Sequence, residues 1–202
     1  LTIADSIANN FYDDPKKMGA DLAEALNKEV LALAEAGCAY IQVDEPVFAR
    51  ETAAALAYGF EDLERTFYGL PSGVTRVVHM CCGYPNAIDS KLFRKADKDA
   101  YFHIADTIED SSIQEISFED AHRHNELSLL EKFSKTKVIF GVVDIASSRM
   151  ETMDEVRDRI SAALEHIDED RLVVAPDCGL GFFTREQAIL KMKIISKAAQ
   201  SI

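Results

Sequence analysis

Short apolar runs alternate with amphipathic stretches along the whole chain. The runs are CAYIQVDEP (38–46), TRVVHMCC (75–82), IQEISFED (113–120), KVIFGVVD (137–144) and RLVVAPDC (171–178). Each is almost continuously apolar and closes on polar or reactive residues, the pattern of a strand buried on both faces of a parallel sheet. The leading LTIAD reads as a possible sixth strand. Between the runs lie helices with clear punctuation. Asp14 before Pro15 is a cap followed by a first-turn proline, Leu22, Leu26, Val30 and Leu33 form one stripe, and Gly37 is a stop. Thr152 with Glu155 and Thr184 with Gln187 are capping boxes, opening stripes through Val156, Ile160, Leu164 and Ile167 and through Leu190, Ile194 and Ala198. A weaker helix spans Asp97 to Ile108.

Strand–helix alternation without a repeat, a low-complexity tract or a linker predicts one α/β domain over residues 1–202. Five strands and a possible sixth do not complete a (β/α)8 TIM barrel, which takes about 250 residues. An open sheet and a portion of a barrel both fit that count. The chain begins at Leu1 and runs at once into a strand-like segment, which favours the second: an incomplete barrel lacking its N-terminal strands.

Composition narrows the partners. With 48% hydrophobic and 28% charged residues the chain is an ordinary globular one. Its net charge of −13 speaks against nucleic-acid and anionic-membrane surfaces, which call for basic faces. No apolar run approaches the roughly 18–20 residues that span a bilayer, and the first residues lack the charged and apolar regions of a signal peptide. A cytoplasmic location is expected. In that reducing setting Cys38, Cys81, Cys82 and Cys178 read as metal ligands or buried residues rather than as disulfides.

Three strand ends carry possible ligands. His79 and Cys81 are two apart, so on a regular strand they share a face while Met80 and Cys82 point away. Glu119 and Cys178 end two further strands, and in parallel α/β folds those ends converge on the functional face. Singly, each is an ordinary core residue, buried free cysteine above all. Together, one imidazole, two thiolates and a carboxylate suit tetrahedral zinc better than magnesium or calcium. Cys38 opens its strand at the far end and reads as structural. Asp44 and Glu45 close another strand; they suit an amine or a base, the alternative being a turn cap at Asp44 and a solvated Glu45. His122, Arg123 and His124 follow Glu119 and suit ligand orientation or an anionic substrate, or form an exposed loop. Asp144 and Arg149 suit the pocket, with a loop cap by Ser147 or Ser148 as the alternative. No GxSxG, HExxH or phosphate-loop motif is present.

IQVDEPVFAR, VVHMCCGYP, ISFEDAHRH and VVAPDCGLGF, in that order, resemble the zinc-dependent catalytic domain of cobalamin-independent methionine synthases over nearly the whole chain. The resemblance implies the C-terminal portion of a (β/α)8 barrel, zinc on His79, Cys81, Glu119 and Cys178, and Asp44 on the amino group of an amino-acid thiol. The implied reaction moves a methyl group from a methylated folate to homocysteine. One motif departs: where the family has DIHS, with a histidine to protonate the leaving nitrogen, this chain reads DIAS with Ala146. His122 or a carboxyl group is then the candidate acid, or the donor differs. Epoxyalkane:coenzyme M transferases resemble the chain as well. They add a thiol to an epoxide, and their sulfonate-bearing thiol would favour Arg149 or Arg123 near the metal. A reading of another class is a non-catalytic zinc- or thiol-binding fragment.

Overall fold

The architecture was taken from a computed structural model, which describes residues 1–90 and 95–202. The order is α1 (Thr2–Ser6), α2 (Pro15–Glu35), β1 (Tyr40–Asp44), α3 (Pro46–Arg50), α4 (Thr52–Ala54), a π turn, α5 (Phe60–Thr66) and β2 (Thr75–Met80). There follow α6 (Ala100–Asp110), β3 (Glu115–Phe118), a 3-10 turn at Leu127–Lys132, β4 (Lys137–Val143), α7 (Met153–Ala163), β5 (Leu172–Pro176) and α8 (Arg185–Ala199).

The helix signals act as expected. The Asp14 carboxylate accepts from the Lys16 N–H at 2.9 Å, and both capping boxes close. Helix α2 ends in a Schellman turn: Gly37, at φ +97°, donates to the Ala34 carbonyl, and Cys38 donates to that of Leu33. Two expectations fail. LTIAD is helical, because the Glu45 carboxylate accepts from the Thr2 N–H at 3.1 Å and the Thr2 hydroxyl at 2.8 Å, capping that end. The stripe of α8 holds at Ile194 and Ala198 but fails at its first position, where Lys191 takes the buried place of Leu190. Lys191, Ile195 and Ala198 are buried, and Leu190 is half exposed.

The five strands form one parallel sheet in sequential order, β1-β2-β3-β4-β5. Register matters for the site: Asp44 pairs with His79, and His79 with Ser117. Alternation along each strand therefore sends these three side chains to one face. The other face carries the core, where Val78, Met80, Ile116, Phe118, Val138 and Phe140 cluster with Tyr101, Ile104, Phe133, Val156 and Ile160. Burial on both faces, expected of every strand, holds for β2, β3 and most of β4 and fails at the edge strands. Tyr40 and Val173, on the edge strands, point away from that core and are 67% and 40% exposed. Their side of the sheet has no helix layer of its own among the described residues, as in a barrel interior that five strands only partly enclose.

Candidate metal centre

Four side chains converge at the C-terminal ends of β2, β3 and β5. One ligand atom from each of His79, Cys81, Glu119 and Cys178 lies within 4.8 Å of all the others. His79, next to last in β2, has Nδ1 2.9 Å from the Ser117 hydroxyl and Nε2 3.3 Å from Cys178 Sγ. Ser117 thus fixes the ring and leaves Nε2 for the cluster. Register explains the contact, and ISFE already shows Ser117 two residues before Glu119 on the same face. The Tyr101 hydroxyl, fully buried, donates to the Met80 carbonyl at 2.7 Å and pins the end of β2.

The electrostatics suit a cation. The Cys178 thiol is pulled well below its ordinary range by a hydrogen bond from Cys81, against burial and with help from His79. The same hydrogen bond, burial and the Glu119 charge push Cys81 far up. Burial lowers the pKa of His79, but Cys178, Asp44 and Glu119 outweigh it and the net shift is upward. Glu119 is the decisive group. Its Oε2 accepts from the Cys82 N–H at 3.1 Å and the Cys82 thiol at 2.8 Å, while Oε1 is buried without a hydrogen-bond partner. A buried carboxylate oxygen left like this costs about 1–3 kcal/mol or more unless something meets it. The cluster's chemistry, one nitrogen, two sulfurs and one oxygen, fits zinc.

Cys82 joins Met80 in the core and stays out of the four-donor set, as the regular-strand argument expects, yet its thiol still meets Glu119. Strand β2 ends at Met80, and the side chains of both Cys81 and Cys82 reach that carboxylate. The His122 ring has both nitrogens engaged, Nδ1 with Asp177 at 2.7 Å and Nε2 with Cys82 Sγ at 3.3 Å, and its side chain is 6% exposed. Asp177 also accepts from the N–H groups of Asp120, Ala121 and His122. PDCGL displays that aspartate, but its role needs the fold. A second missed residue is Tyr84, whose hydroxyl donates to the Gly179 carbonyl at 2.9 Å and whose ring stacks on Phe182 at 5.1 Å. It ties the loop after Cys82 to the loop after Cys178.

The remaining candidates lie elsewhere or are engaged. Asp44, exposed, is the strand neighbour of His79 and accepts from the Gln42 amide at 2.7 Å. Glu45 is held by Thr2 and the Leu1 amino group. Arg149 pairs with Glu155 at 3.0 Å and lines a cleft of about 400 Å³ between α7 and the loops after β3 and β4; none of the four cluster residues lines it. Asp144 shares that cleft and accepts from the Ala146 N–H. Arg123 donates to the Ala96 and Asp97 carbonyls. His124 bonds Asp120, which Arg159 also grips through two hydrogen bonds. Ser147 caps its loop, accepting from the Arg149 N–H. Cys38 is exposed and away from the cluster.

A family model described as the catalytic domain of cobalamin-independent synthase matches residues 5–201. The chain belongs to this family. Methionine synthases of Pyrococcus abyssi and Thermococcus kodakarensis are 31% and 30% identical to it over all 202 residues. The chain spans 54% of either relative's length. Among solved structures, a B12-independent methionine synthase from Shewanella sp. W3-18-1, in complex with selenomethionine, superposes with a TM-score of 0.88 at 29% identity. That match covers 99% of this chain and 59% of the other. A putative vitamin-B12-independent methionine synthase from Listeria monocytogenes, at 20% identity and TM-score 0.66, shares the fold. The fold is accordingly α/β, with the parallel sheet of a partial (β/α)8 barrel. No helix among the described residues is long and apolar enough to cross a membrane.

Proposed function

We propose that His79, Cys81, Glu119 and Cys178 hold one zinc ion, and that the protein uses it to transfer an alkyl group, most simply methyl, to a small-molecule thiol. The observation that carries this reading is the four-donor cluster with its orphaned Glu119 oxygen. Membership of the cobalamin-independent family supports it, and the similar methionine synthases point to homocysteine as thiol and methyl-folate as donor. Bound zinc keeps a substrate thiol deprotonated at neutral pH, which is its nucleophilic form.

The chain's own residues supply the rest. Ser117 holds the His79 ring, and Tyr84 holds together the loops bearing Cys81 and Cys178. Asp44, exposed beside His79 on the same sheet face, is placed to take the amino group of an amino-acid thiol, which fixes the substrate's direction as well as its presence. Glu45 serves through its grip on α1 instead. Ala146 carries no proton, so the group that protonates the donor's leaving atom lies elsewhere. His122 is the nearest imidazole to Glu119, yet both its nitrogens are occupied.

Ala146 also sustains a second reading, addition of a thiol such as coenzyme M to an epoxide. There a sulfur–carbon bond forms, a ring carbon–oxygen bond breaks and the oxygen takes a proton. The arginines that would meet a sulfonate, Arg149 and Arg123, are committed to Glu155 and to backbone carbonyls, which favours the amino-acid thiol. The test is metal analysis and product analysis of the purified full-length protein. Zinc should be present, and in Cys81→Ser its content should fall and activity be lost. Homocysteine with methyl-folate should give product; product only from an epoxide would select the second reading. Absence of zinc together with unchanged activity in Cys81→Ser would overturn both and leave a non-catalytic fragment.

A further inference from the structure

Beside the four-residue cluster stands a second set of donors that the proposed reaction does not use. Cys82 Sγ is 2.8 Å from Glu119 Oε2 and 3.3 Å from His122 Nε2, and that nitrogen is 3.7 Å from the same carboxylate oxygen. These atoms form a compact triangle of one sulfur, one nitrogen and one oxygen. Zinc bonds of about 2.0–2.3 Å in a tetrahedral shell place donor atoms roughly 3.3–3.8 Å apart. Two edges of the triangle are already at that length, and the Cys82–Glu119 edge has to open by several tenths of an ångström.

The imidazole is set for such a role. The Asp177 carboxylate takes the Nδ1 hydrogen bond at 2.7 Å while three backbone N–H groups hold that carboxylate in place. A proton fixed on Nδ1 leaves the lone pair of Nε2 directed at Cys82 and Glu119. A carboxylate behind the distal nitrogen is how metal-binding histidines are generally oriented. Glu119 completes the picture. Oε2 belongs to the triangle, and Oε1 is the buried atom without a partner. One carboxylate can thus face two ions. The charges agree: the Glu119 and Asp177 carboxylates crowd a site in which the side chains of Glu119, Asp177 and His122 are at most 6% exposed, and a dication there offsets them together with the thiolate that its binding creates at Cys82.

We propose that Cys82, Glu119 and His122 form a second zinc position, bridged to the first by the Glu119 carboxylate. Binding releases the Cys82 thiol proton to solvent, and three protein donors leave one coordination place for water or a substrate sulfur. The inference rests on the metal reading of the first cluster only through Glu119. The full-length protein is loaded with zinc, freed of excess by dialysis, and its metal content per chain measured by mass spectrometry, with cobalt(II) as a spectroscopic probe of thiolate ligation.

Two zinc ions per chain are expected, falling to one in Cys82→Ser and in His122→Gln, each also losing cobalt–thiolate absorption or shifting it. Cys178→Ser should likewise retain one ion. Circular dichroism confirms that each variant is folded, and His122→Gln decides the matter should Cys82→Ser fail to fold. A single ion per chain that both Cys82→Ser and His122→Gln keep overturns this proposal and leaves the first cluster standing. Two ions retained by both variants overturn it as well. No ion in the unaltered protein overturns both readings together.

Discussion

Glu109 and Glu119 sit at opposite ends of the sheet, and the fold treats them in opposite ways. Glu109, at the end of α6, faces the turn that leads into β4. Its carboxylate accepts from the Ser134 N–H at 2.9 Å and hydroxyl at 2.7 Å, from the Lys135 N–H at 2.8 Å and from the Thr136 N–H at 3.2 Å. Glu119, just beyond β3, has one oxygen held by Cys82 and one held by nothing. A carboxylate saturated with donors organises a turn. A buried one left half satisfied among thiols and imidazoles is built for a ligand. Asp62 marks the distinction. Its Oδ2 is also buried without a partner, but among the described residues it belongs to no cluster of histidine, cysteine and carboxylate donors, and burial raises its pKa.

The sharpest way to break this comparison lies at a third carboxylate. Glu151, also at the C-terminal end of the sheet, meets Lys191 at 2.9 Å, and the ammonium, fully buried, also donates to the Asp144 and Arg149 carbonyls. Lys191→Met should lower stability by about 3–5 kcal/mol in urea unfolding, because a buried carboxylate is left facing no cation. Lys191→Met with Glu151→Leu should recover much of it. A cost near zero for the single change would show that this end of the sheet tolerates unpaired carboxylates, and Glu119 would lose its distinction. Next in size is the response to metal. Zinc at about 100 times its dissociation constant should stabilise the protein by about 2.7 kcal/mol. The gain should shrink in Glu119→Gln and persist in Glu109→Gln. No shift of the unfolding midpoint with zinc would remove the contrast altogether.

Why one half of this contrast could be read from sequence and the other could not is a matter of range. The period-two alternation of strands gathers His79, Ser117 and Asp44 on one face, and strand ends bring Glu119 and Cys178 to them. Those are local rules. Alternation assigns Cys82 to the core face beside Met80, where it lies, but says nothing of the Glu119 carboxylate that reaches it from beyond β3. The helical LTIAD segment depends on Glu45, more than forty residues away, and the buried start of the α8 stripe on Glu151, forty residues from Lys191. A lysine beside an apolar stripe reads as solvated until its partner is known. Asp177 lies in plain view within PDCGL, yet the three N–H groups it accepts from come from the loop after β3.

A smaller effect tests the two glutamates directly. In metal-free protein, Glu119→Gln replaces a carboxylate that is half unsatisfied and should be neutral or stabilising, by up to about 1 kcal/mol. Glu109→Gln should destabilise by about 1 kcal/mol, because an amide cannot accept at both ends of the side chain. Opposite signs in urea titrations of the two variants are the expected outcome. Equal losses would mean that Glu119 is as well satisfied as Glu109.

The finest test follows the Glu109 contribution through pH. Burial works to raise its pKa, but the Ser134 hydroxyl and the N–H groups of Ser134, Lys135 and Thr136 prevail and hold it at about 2, below its ordinary 4.5. A carboxyl whose pKa is lower in the folded state stabilises the fold above its unfolded pKa, and the contribution disappears as pH falls through the folded value. The window therefore runs from about pH 5 down to about pH 2. The site is largely solvated, so screening trims the effect to about 1 kcal/mol. Unfolding free energies of the native chain and Glu109→Gln, compared from about pH 6 to about pH 3, cancel the other carboxylates and isolate this one. The gap between them should narrow as the pH falls. A gap independent of pH would mean that the turn at Ser134–Thr136 draws its stability from shape rather than charge, and that the saturated carboxylate owes nothing to being ionised.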